Sequence, residues 1–275
     1  MKRYALLLMV VLTVCSCGQD ENKLAQRFLD SATTAFQNGD FASSKLMIDS
    51  VRIVYPKAFE ARKAGIRLLQ KVEIAEAERT VAFQDSALVR LREKFETEKS
   101  RFVFEKDEKY QDLGIYYISS QSPEKNVNRN YLKAQADEKG RMTLISNFSG
   151  SSFIHHRSLN LVSGDSYVDT PLSDDFHEFE DLGVCYEKCN FAAGNDGEAA
   201  AFIAMNVSGR IDVTLNGAER KVSYRMTDAD KKAVKDVYSF SLLLSSIEEA
   251  VSLREEALRK IEFVNANIAK SDTLQ

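Results

Sequence analysis

Tryptophan is missing from this chain altogether, and histidine and proline each occur only three times in 275 residues. Without tryptophan the broadest aromatic platform for stacking on a sugar ring is lost, which leaves Tyr116, Tyr117 and Tyr186 to serve. Cysteine occurs four times, twice within the first 17 residues, so the body of the chain keeps only Cys185 and Cys189 and cannot be a disulfide-stapled fold. Positive charge is outnumbered, 37 lysines and arginines against 41 acidic residues. A net charge of −4 lacks the concentrated field that nucleic acid requires, and DNA and RNA are excluded as partners. Past residue 21 no stretch approaches about 18 uninterrupted apolar residues, so none reads as a membrane span. There is no G-x-S-x-G elbow, no H-E-x-x-H and no P-loop. The 44% of hydrophobic residues still marks a globular chain, long enough for one large or two small domains.

What is present begins with a leader. Lys2 and Arg3 precede an apolar run from Ala5 to Val14, which ends in Val14-Cys15-Ser16-Cys17-Gly18. This is a charged, an apolar and a small-residue region in the order of an export signal, too short for a permanent span. A cysteine directly after small residues resembles the lipobox of bacterial lipoproteins. The resemblance implies cleavage before Cys17, diacylglycerol on its thiol, and a signal peptide at 1–16; its loss takes the net charge from −4 to −6. Gly18-Gln19-Asp20-Glu21-Asn22 is similar to the signal that sends Bacteroidetes lipoproteins to the outer face of the outer membrane. Residues 17–23 then read as a lipidated tether. Acyl chains contribute about 0.8 kcal/mol per buried methylene, so a diacyl cysteine anchors stably without a transmembrane helix. The motifs Asp30-Ser31-Ala32, Asp49-Ser50-Val51, Asp85-Ser86-Ala87 and Asp272-Thr273-Leu274 resemble the O-glycosylation motif of envelope proteins from the same bacteria. They imply Ser31, Ser50, Ser86 and Thr273 as acceptors.

After the tether, Leu24, Phe28, Leu29, Ala32, Ala35 and Phe36 recur at helical spacing until Asn38-Gly39-Asp40 breaks the pattern. A second helix carries Phe41, Leu46, Ile48 and Val51 and stops at Tyr55-Pro56. Over 24–56 this hairpin resembles one tetratricopeptide repeat at Phe28, Ala32, Gly39, Phe41, Ile48, Val51 and Pro56. It departs at Ser44, where a small alanine is usual, and no second repeat follows; a lone repeat must pack on the next helix. That helix is predicted over 57–99, with the seam Ile74, Ala77, Val81, Gln84, Leu88, Leu91, Phe95. A matching seam runs Ala233, Val237, Phe240, Leu244, Ile247, Val251, Arg254, Leu258, Ile261, Asn265, Ile268, behind an N-cap at Thr227. The two read as an antiparallel pair, a stalk. A second copy of the chain is the other partner that either seam would accept.

Between the helices the pattern turns to strands: 102–104, 114–119, 131–136, 142–148, 158–162, 167–170, 183–191, 201–207, 210–215 and 221–225, the last two joined by Asn216-Gly217. The class is therefore α+β: a helical hairpin and long helix at 24–100, an antiparallel β domain at 101–226, sandwich or curled barrel, and a long C-terminal helix at 227–272.

Chemistry is harder to find. Cys185 and Cys189 with His177 give one cysteine pair and one imidazole, short of a zinc set. A disulfide between them needs a turn or bulge, because four residues of regular strand span about 13 Å. His155 and His156 would point to opposite faces of a strand. Gly164-Asp165-Ser166 matches the nucleophile block of the GDSL esterases in three letters, but it sits in a hairpin turn and lacks their Asp-x-x-His. The acidic run from Asp174 to Asp181 reads as a solvated loop entering a strand. No catalytic residue, metal or cofactor is assigned. The expectation is an outer-membrane lipoprotein at the cell surface, non-enzymatic, binding or scaffolding an envelope protein or extracellular ligand. The alternative is an extracellular hydrolase of glycans or peptides using Asp174, Asp175 or Glu178.

Overall fold

The computed structural model describes residues 17–273; the signal peptide predicted at 1–16 lies outside them. The protein is α+β. In chain order it runs α1 (Cys17–Gln37), α2 (Phe41–Val54), α3 (Phe59–Glu98), β1 (Val103–Glu105), β2 (Ile115–Tyr117), β3 (Tyr131–Asp137), β4 (Met142–Gly150), β5 (Ser158–Ser163), β6 (Ser166–Asp169), β7 (Phe176–Asp181), β8 (Val184–Ala192), α4 (Ala199–Met205), β9 (Asp212–Asn216), β10 (Lys221–Arg225) and α5 (Asp228–Thr273). Two compact units form: residues up to Ser86 together with those from Val251, and Ala87–Ala250. No helix among the described residues is long and apolar enough to cross a membrane.

In the first unit α1 begins at Cys17, so the stretch expected as a tether is helical; nothing in it beyond Gly18 opposes a helix. Gly39 takes φ +74°, the left-handed turn that ends α1, and the Asp40 carboxylate accepts from the Ser43 N–H to start α2. Leu29, Ala32, Phe41 and Ile48 close on Leu68 and Val72 of α3. The departure at Ser44 is explained here. Its buried hydroxyl donates to the Ala32 carbonyl across the hairpin at 2.9 Å, where alanine would offer only packing. Arg254 meets Asp85 at 2.5 Å and Lys260 meets Glu76 at 3.6 Å, so α3 and α5 run antiparallel here.

In the second unit Arg101 pairs with Asp236, and Phe95 with Phe240, in the same antiparallel sense. The sheets are a six-stranded one, order β1-β2-β3-β4-β8-β7, and a four-stranded one, order β10-β9-β5-β6. Both are antiparallel throughout. They share one core of Leu132, Leu144, Phe191, Leu161, Val213 and Phe240. Gly140, at φ +79°, closes the β3–β4 turn against α5; a Cβ there would lie 2.4 Å from the Ser241 carbonyl oxygen.

Two strand assignments are corrected. Residues 199–205, Ala-Ala-Ala-Phe-Ile-Ala-Met, form helix α4, because an alanine run favours helix over any weak alternation. The acidic run expected as a loop is strand β7, an edge strand whose residues are all exposed and so show no burial alternation; its charges discourage further pairing. Thr227 caps α5 reciprocally: its hydroxyl donates to Asp230 at 2.7 Å and accepts the Asp230 N–H at 3.1 Å. Thr227→Ala is expected to destabilise the protein by about 1 kcal/mol, read as a lower denaturant midpoint at unchanged slope.

Candidate functional site

Side chains alternate along a strand, so the register decides which residues share a face. On the inner face Leu132, Leu144, Cys189 and Phe191 enter the core. The opposite parity puts Tyr131 and Lys133 of β3, Asn147 and Ser149 of β4, Tyr186 and Lys188 of β8, and Phe179 and Asp181 of β7 on the outer face. These residues form the floor of a groove of about 430 Å³, walled by the segment from Pro123 to Arg129.

The wall is held by its own side chains. Asn126 donates to the carbonyls of Ser120 and Ser122, both at 2.8 Å, and accepts from Arg129 at 2.7 Å. Asn130 accepts the Ser149 N–H at 2.8 Å. Asn128 sits at φ +57°, and in that conformation its side-chain Oδ1 accepts the Tyr186 hydroxyl at 2.6 Å. On the floor Phe179 and Tyr186 stack with centroids 5.0 Å apart and planes 15° apart, and Phe179 stays 57% exposed.

The charges in the lining are unequal in their partners. Arg129 is paired with the buried Asp230. Lys133 lies with Nζ 4.2 Å from the centre of the Tyr117 ring. Burial pushes its pKa down, the neighbouring Lys188 adds to the effect, and Glu105 and Glu124 oppose it.

Behind β8 lies a second arrangement. Ser146 Oγ is 2.7 Å from His156 Nε2, and His156 Nδ1 is 2.6 Å from Glu187 Oε2. Those are the contacts of a serine–histidine–carboxylate triad. Its three members are only 0%, 1% and 2% exposed, so no substrate carbonyl reaches the hydroxyl. His155 at φ +55° turns the backbone so that the N–H groups of Ile154, His155 and His156 all donate to Glu187, at 2.5, 2.9 and 2.9 Å. Burial works against this carboxylate, but the imidazole and the three amides outweigh it and hold its pKa at about 2.

His155, Glu178 and Glu187 also bring ligand-type atoms within 4.8 Å of one another. The two Glu187 oxygens, however, already accept four hydrogen bonds, which fills their lone pairs. His155 Nδ1 lies 2.9 and 3.0 Å from the two oxygens of Glu178, and that contact raises the imidazole pKa. The group satisfies itself and offers a cation little.

The residues singled out from sequence scatter. Tyr186 is in the groove, whereas Tyr116 packs edge-on against Phe240 in the core. Cys185 and Cys189 are free, buried thiols on one face of the regular strand β8, so the disulfide weighed from sequence is not formed; burial, helped by Glu187, pushes Cys189 up to about 12. His177 lies on the exposed strand β7 beside Asp175, apart from the buried thiols. Asp174 pairs with Arg157, and neither it, Asp175 nor Glu178 lines the groove. Ser31, Ser50, Ser86 and Thr273 all lie on helices. The hydroxyls of the last three donate to carbonyls of their own helix. Gly164-Asp165 is the turn between β5 and β6. No family model matches the chain, and no curated protein matches it either.

Proposed function

We propose that the protein is a lipoprotein anchored through Cys17 in the outer membrane, exposed at the cell surface, that works by binding rather than by catalysis. One observation carries the reading: the open groove shares only Glu187 with the triad-like alignment, whose Ser146 and His156 do not line it, so the groove is accessible without that nucleophile and base, and the alignment is complete but closed. A pocket with an aromatic floor and a few fixed polar groups is what recognition of a ligand requires. The hydrolase alternative has less support, because its three acidic candidates do not converge on the groove. Each long seam also finds its partner within the chain, so the reading needs no second copy.

Two experiments on intact cells test it. Protease shaving is expected to remove the β domain while a periplasmic marker survives, and Cys17→Ala is expected to release the protein from the membrane fraction. Protection of the β domain until the outer membrane is opened would overturn the surface placement. A photo-crosslinking residue at the exposed Val127, on the groove wall, is expected to capture an envelope component, and no adduct from any groove position would overturn the binding role.

A further inference from the structure

The groove holds two cations that the protein leaves without ion pairs. Lys133 and Lys188 stand on the same face, one on each side of β4, through its residues Ile145 and Asn147. Among the described residues neither has a carboxylate within ion-pairing distance. The other charges of the lining differ: Arg129 is neutralised by Asp230, and the Glu187 carboxylate is saturated by its cradle, which leaves Asp181 at the end of β7. Desolvating a lysine beside another lysine is unfavourable unless an anion arrives to share both.

Beside the lysines lies the Phe179–Tyr186 stack, with Asn147 and Ser149 between. An aromatic face takes the C–H side of a sugar ring, amides and hydroxyls take its hydroxyl groups, and lysines receive an acidic substituent as point charges. An acidic peptide would instead seek an unpaired strand edge for its backbone, and this groove lies on a sheet face: β4 and β8 are paired on both sides, and beyond the short β2 the open side of β3 is occupied by the Gln121 side chain, which donates to the Leu132 carbonyl and accepts the Ala134 N–H.

We propose that the groove binds an anionic saccharide, with Lys133 and Lys188 receiving its carboxylate or sulfate and the Phe179–Tyr186 stack receiving a ring face. The proposal rests on the binding role above and adds the class of ligand.

The test is calorimetric titration of the mature chain carrying Cys17→Ala, with trigalacturonate and a heparin tetrasaccharide as probes. Fully methyl-esterified trigalacturonate and hexaglutamate are the comparisons. One or both acidic saccharides are expected to bind, the stronger identifying the acidic group. Lys133→Gln, Lys188→Gln and Phe179→Ala are each expected to weaken binding about tenfold, the size of one lost charged or stacking contact. Lys221→Gln, on the other sheet, is expected to change nothing. Lys188 is exposed, so its variant keeps the test valid even where replacing Lys133 disturbs folding. No binding of either acidic probe, equal binding of the methyl ester, or hexaglutamate bound as tightly as the saccharides would overturn the proposal. An adduct at Val127 that persists in cells despite such a result would leave the binding role standing and remove only the ligand class.

Discussion

Glu187→Ala is expected to lower the thermal midpoint at neutral pH by roughly 10 °C. Removing one partner of a buried charged network costs about 3 to 5 kcal/mol, and each kcal/mol moves the midpoint of a domain of this size by about 2 to 4 °C. The carboxylate is 2% exposed and accepts from three backbone amides and one imidazole, so alanine strands three buried donors and one half-buried donor at once. Glu187→Gln is no remedy, since its NH₂ would face amides that themselves donate. The sign with pH follows from the depressed pKa. A carboxyl at about 2 in the fold against an ordinary 4.5 contributes stability that is complete above about 4.5 and lost as pH falls toward 2. That contribution is on the order of 3 kcal/mol at pH 7 and less than half as much at pH 3. Melting curves of the wild type and Glu187→Ala at both pH values check it: the gap should narrow in acid. An equal gap at the two pH values would mean that the loss comes from packing rather than from the ionised carboxylate.

The helices were legible because their signals are local. Gly39, Asp40 and Pro56 punctuate them, and the long seams alternate steps of three and four; every seam residue of both helices except Asn265 is at least partly buried. The two wrong strand assignments fail for a related reason. β7 is an edge strand with no buried face to impose alternation, and α4 is read correctly only by weighing alanine propensity above a short apolar run.

The groove was not legible, apart from Tyr186, since Lys133, Asn147, Phe179 and Lys188 meet only through the register of four strands. Glu187 was hidden because a glutamate between Tyr186 and Lys188 looks like ordinary surface; only parity with Cys185 and Cys189 would have placed it inside. His155 and His156 were assigned to opposite faces by strand alternation. The two residues lie outside any strand, yet the His155 imidazole is exposed and that of His156 buried, and the left-handed backbone at His155 turns successive amides onto one acceptor.

Phe240→Ala is expected to loosen the second unit by about 3 to 5 kcal/mol, the usual cost of truncating a fully buried phenylalanine. Phe240 is 0% exposed and stacks on Phe102 at 4.1 Å and on Phe95 at 5.8 Å, with Tyr116 edge-on at 5.2 Å. It therefore ties α3, α5 and β2 into the core that backs the groove's sheet. The loss converts to amide exchange roughly 10² to 10⁴ times faster in β3, β4 and β8 wherever exchange proceeds through opening of the whole unit. The amides of α1 and α2 belong to the other unit and close on their own core of Leu29, Phe41 and Ile48. They are expected to keep their protection, because none of their packing partners touches Phe240. Hydrogen exchange followed by mass spectrometry checks both statements in one experiment. Unchanged exchange in β3, β4 and β8 would remove Phe240 from its central place. An equal acceleration in α1 and α2 would show that the continuous helices α3 and α5 couple the units into one cooperative body, so that a ligand held in the groove would stabilise the first unit as well.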